Sequence, residues 1–265
     1  MAIGTIASRA TGFVRTAILL YAIGTQNLGD AYNIANTVPN NIYSLALGGI
    51  LTSVVVPLLV KAARTDADRG EAYDQRMFTL GVLGLGGVTI LATALAVPIT
   101  AVYGHGLANP ATYHLTVIFT YFFLPQIFFY GVSSLAGAIL NARGSFAAPM
   151  WTPVINNVVV SFVGVALIIL AGTGRTPETI TPGEVRLLAI GTTLGIAAQT
   201  VAMWPSMRKV GFRWRPRLDL RRAEIAEIGR MSGWMFFYIV ATQLSFLVTA
   251  VVSNTAGAHV CKTCA

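Results

Sequence analysis

Charge is what this sequence has least of. Only 11% of its 265 residues are Asp, Glu, Lys or Arg, against about 25% in an ordinary soluble domain. The hydrophobic share is 55%, and the mean hydropathy is +0.68. Small domains keep a large fraction of their surface in water, so one core cannot hide this much apolar area. A soluble globular protein is thereby excluded, and lipid is the solvent that fits. Cysteine is nearly absent: Cys261 and Cys264 both lie in the last five residues, which excludes a disulfide framework. The three histidines, His105, His114 and His259, are scattered rather than clustered. No G-x-x-x-x-G-K-[ST] loop occurs, so no ATP hydrolysis is expected. Asp66, Asp68, Glu71 and Asp74 share one stretch with as many basic residues and are expected to form a solvated surface loop, not an acid–base pair. His259, Cys261 and Cys264 form H-x-C-x-x-C without a fourth ligand, so no metal is expected. The first apolar run begins at Met1 and carries two arginines, unlike the apolar core of a cleavable signal peptide. None of this points to an enzyme.

What is present is a series of apolar runs. A helix rises about 1.5 Å per residue and the bilayer core is about 30 Å thick, so about 20 residues make a span. Seven runs qualify, at 2–23, 31–60, 78–102, 112–140, 150–171, 185–207 and 225–253. The fold class is therefore all-α, a polytopic membrane helical bundle. The bundle is expected over residues 1–254, with 255–265 as a short atypical tail. The second, fourth and seventh runs exceed what a bilayer needs and must tilt, kink or protrude. Pro39, Pro57, Pro125 and the Gly48-Gly49 pair are the candidate kinks.

The net charge of +8 is distributed unevenly. Lys61, Arg64, Arg69 and Arg76 follow the second run, Arg143 follows the fourth, and Arg208, Lys209, Arg213, Arg215, Arg217, Arg221 and Arg222 follow the sixth. The alternate connectors hold only Arg175. This alternation is the positive-inside pattern, not a nucleic-acid footprint, and places the N-terminus in the cytoplasm. The last basic connector serves as a topology signal and suits anionic lipid heads.

Two spans carry residues that lipid does not tolerate. Arg9 and Arg15 fall near the middle of the first, where each costs about 2.5–3.5 kcal/mol to insert. Thr5, Ser8, Arg9, Gly12, Arg15 and Thr16 recur at three-to-four spacing and share a helix face, while Phe13, Leu19 and Leu20 leave the other faces apolar. Arg9 alone could snorkel to the nearby surface; Arg15 is too deep. In the second span Asp30, Asn33, Asn36 or Thr37, Asn40 and Ser44 repeat the pattern. Such residues can simply join helices by hydrogen bonds. A cationic stripe beside a polar one otherwise implies a hydrophilic cavity of positive potential, whose natural ligand is an anion such as a phosphate. Asn156, Asn157 and Gln243 are further candidates for its lining or for interhelical hydrogen bonds.

Three segments resemble the MurJ/MviN lipid II flippases of the MOP (multidrug, oligosaccharidyl-lipid, polysaccharide) exporter superfamily: S-R-A-T-G-F-V-R-T-A-I from Ser8, G-D-A-Y-N-I-A-N-T-V-P-N from Gly29, and G-A-I-L-N-A-R-G-S-F-A-A-P-M-W-T-P-V-I-N-N from Gly137. The resemblance covers roughly residues 2–254. It implies a transporter that moves lipid-linked peptidoglycan precursor from the inner to the outer leaflet of the bacterial plasma membrane for cell-wall synthesis. By this resemblance Arg9 and Arg15 would engage the substrate's diphosphate and Asp30 would act in gating or a charge network; the polar stripes themselves offer Ser8, Asn33, Asn40, Asn156 and Gln243 as candidate cavity lining. No cofactor is implied; an ion gradient or membrane potential would drive alternating access. The partners implied are lipid II, the bilayer, and a C-terminal half or other cell-wall synthesis proteins. The alternatives are another MOP exporter, of glycan lipids or drugs, and a non-transporting bundle that docks on a partner membrane protein.

Two departures stand out. Tyr43, Ser44 and Gly48 occupy positions where the family often has a basic pair and an acidic residue. The family also has about fourteen spans, where seven are read here. The last residues, A-H-V-C-K-T-C-A, do not resemble the family's continuation, so a truncated product read out of frame from about Ala256 is the expectation.

Overall fold

A computed structural model of the chain describes residues 2–44, 55–65, 68, 70–104, 107 and 109–219, with isolated positions 233, 237 and 241. All regular structure among them is helical. The helices are α1 (Ala2–Ile23), α2 (Leu28–Tyr43), α3 (Val56–Thr65), α4 (Glu71–Ala94), α5 (Ala96–Tyr103), α6 (Pro110–Phe123), α7 (Gln126–Ala142), α8 (Ala147–Ala171), α9 (Pro182–Ala202) and α10 (Trp204–Lys209). Five helical segments are long and apolar enough to cross a bilayer: Ile3–Ile23, Glu71–Ala94, Pro110–Ala142, Ala147–Ala171 and Pro182–Lys209. The chain is a polytopic helical membrane protein. The expected first span coincides with α1, the second overlaps α2 and α3, and the third overlaps α4 and α5. The fourth overlaps α6 and α7, the fifth lies in α8, and the sixth overlaps α9 and α10. The seventh, at 225–253, lies outside the described residues, as do Gly48, Gly49 and Gln243.

Proline accounts for three breaks within spans. Proline has no N–H to donate to the carbonyl four residues back and crowds it. Pro125 sits at the α6–α7 break, as the sequence predicts. The α4–α5 break precedes Pro98; there the Leu95 N–H turns to the carbonyls of Leu91 and Ala92, at 3.0 and 3.1 Å. Pro205 follows the break between α9 and α10. Pro39, by contrast, stays inside α2. Two helices start at side-chain caps followed by proline. Asn109 Oδ1 accepts from the Ala111 N–H at 2.8 Å. Thr181 and Glu184 form a reciprocal capping box at the start of α9.

Helix α1 packs on α8 and α8 on α9, while α2 packs on α6 and α4 on α7. Small residues permit these approaches: a side chain on Gly131 of α7 would collide with Leu85 of α4, and one on Gly191 of α9 with Val163 of α8. The arginine-rich end is held by a cluster that includes Leu59, Phe78, Leu135, Ile139, Met207 and Phe212. The opposite end is held by Leu28, Tyr32, Phe119, Phe123, Leu167 and Leu188.

One expectation about the arginine-rich end is corrected. Asp66, Asp68, Glu71 and Asp74 do not share one solvated loop. Glu71 and Asp74 belong to the first turn of α4, and Asp74 is buried beneath Arg143. Asp66 lies outside the described residues. The basic connector after α10 packs against the bundle through its aromatic residues. Phe212 is buried, its ring 5.5 Å from that of Phe78, and the Trp214 ring also meets Phe78, at 5.4 Å. The strap is fastened to α4: Gln75 Nε2 donates to the Arg213 carbonyl at 2.9 Å, and Trp214 Nε1 to Thr79 Oγ1 at 3.2 Å.

Candidate functional site

The polar face of α2 is regular and uncovered. Asp30, Asn33, Thr37, Asn40 and Ser44 are all exposed, at steps of three and four, whereas Leu28, Ala31, Tyr32, Ala35 and Val38 on the other side are buried. On α1, Thr5, Arg9 and Thr16 are exposed while Ser8, Gly12 and Arg15 are half-buried. At about 100° per residue, Arg9 and Arg15 stand about 120° apart around the helix. They therefore bound the two edges of the polar face, and only one of them turns inward.

Arg15 is that one. With Asn33 and Asn36 of α2, Asn156 of α8, and Tyr32, Tyr130 and Thr192, it lines a pocket of about 120 Å³ between α1, α2, α7, α8 and α9. The Arg15 Nε is buried and makes no hydrogen bond among the described residues, and no described carboxylate pairs with it. Asn156 Oδ1, in the same pocket, is also buried without a partner. Leaving such groups unsatisfied costs about 1–3 kcal/mol each, more for a charge, so the pocket is built to receive hydrogen-bonding matter. Its walls are fixed. The Tyr32 hydroxyl hydrogen-bonds Thr192 Oγ1 at 2.8 Å, and its ring meets Phe119 and Phe123 edge-on at 5.8 and 5.4 Å. Tyr130 stacks on Tyr43 at 5.9 Å, and the Tyr43 hydroxyl reaches Ser134 Oγ at 2.5 Å. A side chain on Gly195 would strike Asn156 Oδ1 at 2.5 Å, so this glycine leaves the amide its place.

Of the residues expected from sequence, Arg15, Asn33 and Asn156 thus meet in one pocket, whereas Arg9, Asp30 and Asn40 do not line it. Ser8 and Asn157 take the interhelical role instead: Asn157 Nδ2 donates to the Ser8 carbonyl at 3.0 Å and to Thr11 Oγ1 at 3.1 Å, tying α8 to α1. Sequence reasoning passed over Tyr32, Tyr130 and Thr192. The signals were weak: a tyrosine facing the core beside Asn33, and a Thr-Thr pair inside an apolar run.

The family model for "MurJ: Lipid II flippase MurJ" matches residues 19–261. Among curated relatives, the probable lipid II flippase MurJ of Vibrio cholerae is 28% identical over 94% of this chain and 47% of its own length. The lipid II flippase MurJ of Burkholderia cenocepacia is 26% identical over 96% of this chain and 48% of its own. The probable lipid II flippase MurJ of Haemophilus influenzae is 25% identical over 94% and 49%. The chain spans about half the length of the curated relatives it matches.

Proposed function

Starting from the fact that the chain belongs to the lipid II flippase MurJ family, we propose that it supplies one wall of a transport pathway for a polyprenyl-diphosphate-linked glycan, carried from the inner to the outer leaflet. The observation that carries this reading is the Arg15 pocket at the head of the uncovered polar face of α2. A polar stripe turned to lipid is expensive, so such stripes face water-filled space or another bundle. A second helical bundle would supply the facing wall. Arg15 offers its unpaired guanidinium to a diphosphate oxygen, where a fork of N–H donors suits phosphate. Asn33, Asn36 and Asn156 supply neutral hydrogen bonds that suit phosphate and sugar oxygens alike. Arg9, nearer the N-terminal end of α1, meets the diphosphate first from the cytoplasmic side, and Asp30 near the outer end of the stripe balances Arg15 once the substrate has left. This assignment places the N-terminus and the arginine-rich end in the cytoplasm, in keeping with the charge asymmetry of the connectors. Transport draws on an ion gradient or the membrane potential.

The test is retention of undecaprenyl-diphosphate-linked disaccharide by the purified chain in nanodiscs, read by native mass spectrometry. Arg15→Ala should lower retention on the order of tenfold or more, the value of a charge-assisted hydrogen bond, while Arg175→Ala, in the connector between α8 and α9, should not. Equal retention by Arg15→Ala and the unaltered chain would remove Arg15 from the substrate path.

A further inference from the structure

Beyond the polar pathway, the arginine-rich end carries a second site. Trp204, Arg208, Phe212, Arg213 and Trp214 line an open pocket of about 400 Å³. We propose that this pocket is a fixed binding site for the phosphate-bearing headgroup of an anionic phospholipid.

Charge is the first argument. Residues 204–219 hold five cations, Arg208, Lys209, Arg213, Arg215 and Arg217, and a single carboxylate, Asp219. That carboxylate faces Arg76 at 3.6 Å. Among the described residues, no carboxylate pairs with any of the five cations. Two of them, Arg208 and Arg213, line the pocket itself and are exposed. Unpaired guanidinium groups at a pocket mouth select phosphate oxygens.

Rigidity is the second. A flexible basic tail attracts anionic lipid without a defined site, but this segment is fastened at successive points. The Val210 carbonyl accepts from Arg143 Nη1 at 3.0 Å, and the Phe212 N–H donates to the Met207 carbonyl at 3.0 Å. The Arg213 carbonyl is held by Gln75, and Thr79 Oγ1 accepts from both Trp214 Nε1 and the Arg217 N–H, at 3.2 and 3.3 Å. The backbone that presents both pocket arginines is therefore immobilised against α4 and α7.

Location is the third. The pocket lies where α9 and α10 end and α4 begins, the level at which helices leave the hydrocarbon. Trp204 and Trp214 stand there with ring centroids 6.4 Å apart. Indole rings settle at the headgroup level, and a headgroup seated beside this pair, against Arg208 and Arg213, places its acyl chains along the apolar helices. A soluble phosphate would lack that second anchor, so the lipid is the occupant.

The experiment uses the whole chain in detergent, titrated with phosphatidylglycerol, phosphatidylcholine and inorganic pyrophosphate in separate arms, with bound ligand counted by native mass spectrometry. The unaltered chain should retain phosphatidylglycerol over phosphatidylcholine. Arg208→Gln/Arg213→Gln should weaken that retention by about thirtyfold, at the usual worth of two basic residues near an anionic surface. Lys61→Gln/Arg64→Gln removes two charges from the same end but outside the pocket, and should change it by less than about threefold. Both double variants are surface changes; circular dichroism and elution volume verify the fold. Equal losses in the two double variants would overturn the proposal in favour of diffuse attraction. Pyrophosphate bound as tightly as the lipid, with the same dependence on Arg208 and Arg213, would overturn the lipid assignment. Neither result bears on Arg15, so this site and the transport reading fail separately.

Discussion

Arg143→Met is expected to cost more than Asp74→Asn, although the two side chains form one ion pair. Asp74 Oδ2 accepts from Arg143 Nε at 3.1 Å and Nη2 at 2.5 Å, and the remaining Arg143 nitrogen, Nη1, holds the Val210 carbonyl at 3.0 Å. The arginine thus joins the start of α4, the end of α7 and the strap after α10. The Asp74 side chain is 6% exposed and that of Arg143 19%. Removing Arg143 strands a carboxylate that water hardly reaches and orphans a carbonyl, which puts the loss near the 3–5 kcal/mol typical of a broken buried pair. Removing the charge of Asp74 leaves a guanidinium that can still turn to water, keeps an amide oxygen as acceptor and spares the bond to Val210. Its loss should be about 1–3 kcal/mol, the worth of hydrogen bonds to a charged group. Equilibrium unfolding in mixed micelles measures both, and the double variant should cost clearly less than the sum, since the shared pair is lost once. Equal costs for the two single variants, or additive costs in the double, would refute the claim that burial asymmetry decides the outcome.

Tyr32→Phe should cost about 1 kcal/mol in the same assay, because it removes one buried hydrogen bond to Thr192 at 2.8 Å while keeping the ring contacts. Gly131→Ala, which drives a methyl into Leu85, should cost about 1–3 kcal/mol, whereas Gly84→Ala, with open space around it, should be neutral or slightly stabilising; melting temperatures of the two variants decide this. The Asp68 carboxylate accepts from the Gly70 and Ala72 N–H groups at 3.1 and 2.9 Å, and chiefly the Ala72 bond holds its pKa below the ordinary carboxylate value. Its contribution is therefore present above the unfolded pKa and lost as pH falls through the depressed folded value. Asp68→Asn should lower stability on the neutral plateau and flatten the acid limb of stability against pH, the two proteins converging in acid; equal stability of the two at neutral pH would refute this.

The spans were legible because apolar run length is a direct image of bilayer thickness. The breaks were legible only in part, and the reason is one of attention to proline position. Pro125 was read as a kink because it interrupts a run too long for one span. Pro98 and Pro205 act by the same loss of an N–H, yet each sits two to three residues after the break it causes, inside an apolar stretch that otherwise scores as continuous. The solvated reading of the acidic stretch failed at Asp74 for a different cause. Its partner, Arg143, is 69 residues away and looks in sequence like an isolated topology charge. Phe212 and Trp214 did carry a signal, since aromatic residues interleaved with arginine in a connector need somewhere to put their rings.

The candidate site was half legible for a geometric reason. A helical stripe about 120° wide can be read from spacing, but spacing does not say which edge turns inward. That is settled by the neighbours: α8 covers the Ser8 and Gly12 side of α1 through Asn157, which turns the adjacent Arg15 edge toward α2 and leaves Arg9 outside. The same logic runs the other way on α2. Its buried face is taken chiefly by α6 and α7, with Tyr32 reaching Thr192 of α9, while the row Asp30, Asn33, Thr37, Asn40 and Ser44 stays exposed, only Asn33 of it lining the Arg15 pocket. Five polar groups in register on a membrane helix are not stable against lipid, and they are too evenly spaced to be individual helix contacts. A continuous hydrophilic surface opposite them, whether water, substrate or a second bundle, is the condition under which this sequence can hold this fold in a bilayer.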